Sequence, residues 1–109
     1  MCGIGGAVSL SLRPLANAQG TVELMNDLLR HRGPDGHATW VHDHDVAAFA
    51  HRRLAIIDLE SGDQPMTDGA GNWLTHNGEI YNYIELRGLL GKDRFTTSSD
   101  TEVILRTYR

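Results

Sequence analysis

Three short apolar runs follow one another over residues 37–58: HATWVH, VAAFAH and RLAIID. Only Asp43, His44 and Asp45 separate the first two, and this polar tripeptide reads as a hairpin turn between antiparallel strands. Residues 3–12 read as an earlier strand, with Ile4, Ala7, Val8 and Leu10 apolar and with glycines that suggest close backbone packing. WLTHNGEI, residues 73–80, reads as a later one. Helical spacing of Val22, Met25, Leu28 and Leu29 predicts a helix over 21–30, which Gly33, Pro34 and Gly36 then break. Tyr83, Leu86 and Leu90 share one side of a second helix, and SSDTEVILRTYR starts a third. Strands first, then helices at intervals, argue for an α+β layered fold with mostly antiparallel sheets.

The 109 residues make one domain or part of one. That length buries a core, and 40% hydrophobic residues with 12 glycines is a globular composition. The net charge of −4 comes from interspersed signs, so no basic block stands ready for phosphates and nucleic acid is not an expected partner. No run of 18 apolar residues exists to span a membrane, and the first residues lack the basic and apolar regions of a secretory signal. A single cysteine makes no internal disulfide and fits a reducing compartment, so the cytoplasm is expected. The third helix is still running at Arg109, and the chain is therefore expected to be a piece of something longer.

That one cysteine is residue 2. If the initiator methionine is removed, Cys2 carries both a thiol and a free α-amine. Such groups ordinarily titrate near about 8.5 and about 7.7–8.0, so the amine can take the thiol's proton and the nucleophile brings its own base. The alternative is a bystander thiol at a frayed end. In THNGEIYN, the Asn77 side-chain amide and the Gly78 N–H are two donors that can converge on one oxyanion, although Asn-Gly is equally a strong hairpin signal. Arg52 and Arg53 are consecutive, so in an extended segment they point to opposite faces. One can face solvent and the other a pocket, where it would clamp a carboxylate; the alternative is a pair of surface charges. Ser99 and Glu102 have capping-box spacing, and Asp100 between them is free to pair with an ammonium group. His42 and His44, flanked by Asp43 and Asp45, offer two metal ligands, but no further cluster has zinc-type spacing and a polar turn explains the stretch. The glycines of CGIGGA match neither nucleotide-binding loop.

Taken together, MCGI (1–4), HRGPDG (31–36), HRRLAIIDL (51–59), DQPM (63–66), NGEIYNY (77–83) and SDTE (99–102) resemble the glutaminase domain of the asparagine synthetase family, a class II glutamine amidotransferase. The resemblance implies an N-terminal-nucleophile fold, a four-layer αββα sandwich of which residues 1–109 would be the N-terminal portion. It implies hydrolysis of glutamine to glutamate and ammonia through a Cys2 thioester. Asn77 and Gly78 would form the oxyanion hole, Arg53 would hold the substrate carboxylate, and Asp100 with Glu79 its ammonium. A following synthetase domain, absent here, would receive the ammonia and use ATP and Mg; no cofactor or metal is expected in these residues, and a homodimer is a further implied partner. The alternatives are a catalytically silent fragment that folds only with a partner and, more weakly, a metal-binding module built on His42 and His44.

Overall fold

The computed structural model describes residues 1–54 and 62–109. Three strands form one antiparallel sheet: β1 (Gly3–Val8), β2 (Gly36–Val41) and β3 (Ala47–Arg53), in the order β1-β3-β2. Gly3 stands opposite Arg52 and Val8 opposite Ala47 on one side of β3, while Gly36 stands opposite Arg53 and Val41 opposite Ala48 on the other. The β2–β3 hairpin closes at Asp43–Asp45, where the Asp45 N–H donates to the His42 carbonyl at 2.8 Å and Asp45 takes a φ of 56°. A two-stranded ribbon, β4 (Met66–Thr67) and β5 (Trp73–Leu74), follows. Beyond the first helix, α1 (Ala18–Leu28), lie α2 (Tyr83–Leu90) and α3 (Thr101–Tyr108).

The two-residue period of a strand sorts β3 into two faces. Ala48 and Ala50 face α1 and pack with Ala18 and Val22, with Leu15, Met25 and Val41 around them. β1 lies against the same helix through its glycines: a Cβ on Gly5 would stand 3.0 Å from the Met25 sulfur. This is the close packing the glycines suggest. Their apolar neighbours point the other way, leaving Ile4 and Val8 exposed.

The first strand ends at Val8, not near residue 12, because Leu12 takes a left-handed φ of 60° in the turn that follows. α1 begins three residues before the expected start, where the Asn17 side chain accepts from the Gly20 N–H at 3.3 Å as an N-cap. WLTHNGEI is a strand only at Trp73–Leu74; residues 75–80 form a loop held by side chains. Of the run RLAIID, Arg53 ends β3 and residues 55–58 lie outside the described residues. No helix among the described residues is long and apolar enough to cross a membrane.

The capping box expected from Ser99 and Glu102 is not formed. The Ser99 hydroxyl accepts from the Thr101 N–H, and the Glu102 carboxylate turns back to the Thr96 and Thr97 N–H groups, both threonine hydroxyls and Arg106. A buried carboxylate with several donors already converging on it has a better-satisfied site than a helix terminus offers.

Candidate active site

Behind the sheet, on the face away from α1, a cavity of about 250 Å³ is lined by Cys2, Arg53, Asn77, Gly78, Glu79 and Asp100. Each comes from a segment with its own reason for being there. Cys2 immediately precedes β1, and its sulfur sits at the C-terminal end of β3, where the Leu54 N–H donates to it at 3.3 Å and its thiol faces the Leu54 carbonyl at 3.6 Å. The thiol is half-buried.

Arg53 is delivered to this face by strand alternation. Its guanidinium is nine-tenths buried and donates to the exposed Asp63 carboxylate at 2.8 Å. The backbone of Arg53 is braced from outside by the segment Gly33–Asp35, with the Asp35 N–H donating to the Arg53 carbonyl at 2.9 Å. Gly33 is required there, since a Cβ would fall 2.4 Å from the Arg52 carbonyl carbon. Arg52 points to the opposite face as expected, but not to solvent. It is buried under α1, where its Nε donates to the Asn26 carbonyl at 2.7 Å near the helix C-terminus, so the pair is not two surface charges.

Asn77, Gly78 and Glu79 sit in the loop between β5 and α2. The Ile80 N–H at the end of this loop donates to Asp100 Oδ2 at 2.8 Å. Asp100 itself is buried just ahead of α3. The turn before it is stitched by Arg87 of α2, which donates to the Ser99 carbonyl at 3.3 Å and stacks its guanidinium over Phe95 at 4.1 Å.

The cavity also takes in Gln64, His76, Tyr81, Ser99 and Thr101, none of which the sequence assigned to it. Their signal was adjacency: Gln64 lies in DQPM, His76 precedes Asn77, and Thr101 is inside SDTE. Just beneath, His51 is buried with Nδ1 at 2.8 Å from the Thr75 hydroxyl and with Nε2 unpartnered among the described residues. Desolvation, aided by the Arg53 and His76 charges and opposed by Asp63, lowers its pKa to about 4, so it is neutral at pH 7.

At the hairpin, His42 Nδ1 accepts the His44 N–H at 3.1 Å, which is turn geometry. No group of three metal-ligating side chains exists among the described residues.

A family model described as a glutamine amidotransferase domain matches residues 1–109. The chain belongs to the glutamine amidotransferase domain family. It is 47% identical over its whole length to asparagine synthetase [glutamine-hydrolyzing] 1 of Bacillus subtilis, spanning 18% of that protein. Over 99% of its length it is 43% identical to the asparagine synthetase [glutamine-hydrolyzing] of Triphysaria versicolor and 44% to that of Zea mays, again covering 18% of each. This amidotransferase chain thus spans under a fifth of the length of these relatives.

Proposed function

We propose that this chain is the N-terminal portion of a glutaminase domain that hydrolyses glutamine to glutamate and ammonia through a thioester on Cys2. The observation that carries this is the convergence of Cys2, Arg53, Asn77, Gly78 and Asp100 on one cavity in a chain of the amidotransferase family.

Removal of Met1 would free the α-amine of Cys2, which takes the thiol proton through a water. The thiolate adds to the side-chain amide carbon of glutamine, and the Asn77 amide and Gly78 N–H receive the charge that develops on its oxygen. Each such donor is worth about 10²–10³ in rate. The α-ammonium then gives its proton to the departing nitrogen, which leaves as ammonia. Water, deprotonated by the same amine, splits the thioester to glutamate and restores the thiol. Arg53 would hold the substrate carboxylate, and Asp100 with Glu79 its ammonium, which matches opposite charges to both ends of a zwitterion.

In this proposal the antiparallel sheet is one layer of an αββα sandwich, and the ammonia passes to a cytoplasmic, ATP- and Mg-dependent synthetase domain. A second reading, a portion that is silent until a partner surface covers it, is favoured by one observation. Among the described residues no strand pairs with the outer edge of β1, and Ile4 is 44% and Val8 61% exposed on that strand. Glutamate release from glutamine decides between the two: turnover by the wild-type chain that Cys2→Ala abolishes is expected, and release undiminished in Cys2→Ala, or absent from both, overturns it.

A further inference from the structure

The loop that carries Asn77 and Gly78 has no strand beside it among the described residues once β5 ends at Leu74, so its backbone must be held by other means. We propose that Gln64 is the positioning residue for the Asn77–Gly78 pair, an inference that rests on the glutaminase function proposed above.

Gln64 is buried, and both ends of its amide are engaged. Its Oε1 accepts the His76 N–H at 2.6 Å, and its Nε2 donates to the Thr101 hydroxyl at 3.2 Å. It is therefore a strut between the first residue of α3 and the residue just before Asn77. The His76 ring passes the constraint forward. Its Nδ1 lies 3.4 Å from the Thr101 hydroxyl, and a Cβ on Gly78 would stand 2.8 Å from its Nε2, so the ring rests against the Gly78 backbone. On the far side of the pair, Asp100 holds Ile80.

An amide suits this place because it supplies one acceptor and one donor without adding charge beside Asp100 and Arg53. Precision is what the strut would provide: oxyanion donors act within a few tenths of an ångström, and a displacement of about 1 Å costs on the order of 10²-fold. The neighbouring Asp63 bonds Arg53, so consecutive residues of DQPM hold two different parts of the cavity.

The test uses the full 109-residue chain and two readouts, amide hydrogen exchange and glutamate release. Gln64→Met keeps the length of the side chain without its hydrogen bonds. It is expected to speed exchange at His76, whose N–H loses its acceptor, about tenfold or more while Ala48 and Ala50 in β3 are unchanged. It is also expected to lower kcat about tenfold or more with KM moved less than about threefold. Gln64→Glu keeps an acceptor for the His76 N–H and is expected to bring exchange back to within about threefold of wild type. Thr101→Val, which removes the other end of the strut, should move exchange at His76 in the same direction, and decides the matter if Gln64→Met does not fold.

Unchanged exchange at His76, an equal acceleration in β3, or a loss that falls on KM instead of kcat would overturn the positioning role. A wild-type chain that releases no glutamate would instead remove the proposed function, and the exchange experiment would still decide whether Gln64 holds the loop.

Discussion

Asp63, on the surface, holds the buried guanidinium of Arg53 at 2.8 Å. A ligand carboxylate reaching Arg53 must share the fork with Asp63 or displace it. An ion pair with one exposed partner is worth about 0–1 kcal/mol, so Asp63 orients the arginine without blocking it. Asp63→Asn is expected to lower the KM for glutamine by up to about fivefold and leave the melting temperature nearly unchanged. Arg53→Lys, which loses the planar fork, is expected to raise KM about tenfold or more. Steady-state glutamate release checks both.

Asn77→Ala removes one of the two donors proposed for the oxyanion. The expected result is a kcat lower by about 10²–10³ with KM little changed, because the interaction is made only in the transition state. An equal loss in binding of an unreactive glutamine analogue, measured by calorimetry, would assign Asn77 to ground-state binding instead.

Gly33 lies against the β3 backbone, where a Cβ would meet the Arg53 nitrogen at 2.5 Å. No flexible side chain is there to give way. Gly33→Ala is expected to cost about 1–3 kcal/mol in urea unfolding and to raise KM as well, since the strand that shifts carries Arg53.

The burial of Glu102 works to raise its pKa, but donors from Thr96, Thr97 and Arg106 outweigh it and hold the carboxylate at about 2. Its unfolded value is near 4.5, so the stabilisation is fully present above about pH 4.5 and is lost as the pH falls toward 2. His51 acts in an adjoining window. Its pKa of about 4 against 6.5 unfolded means that stability falls as the pH drops from about 6.5 to 4, because only the unfolded chain takes up the proton. Urea midpoints across pH should show both limbs, with His51→Gln flattening the upper and Glu102→Gln the lower.

The sequence was most legible where a local rule and the tertiary need agreed. The β2–β3 hairpin, the two faces of Arg52 and Arg53, and the close glycine contacts of β1 all follow from alternation and backbone sterics. Six residues singled out as site candidates in the sequence line one cavity, although they come from segments up to about a hundred residues apart. Legibility failed where long-range partners competed with local ones. Glu102 abandons a capping box for the Thr96–Thr97 turn, Arg52 serves a helix terminus instead of solvent, and residues 75–80 are held by Gln64, His51 and Asp100 instead of a neighbouring strand. No periodicity in the chain encodes those contacts.

Intact mass of the chain before and after incubation with an electrophilic glutamine analogue tests the Cys2 proposal most directly. Loss of one methionine and gain of a single adduct, absent in Cys2→Ala and suppressed by excess glutamine, is the predicted result. Retained methionine, or a processed chain that takes up no adduct, would contradict an N-terminal cysteine nucleophile facing a glutamine pocket.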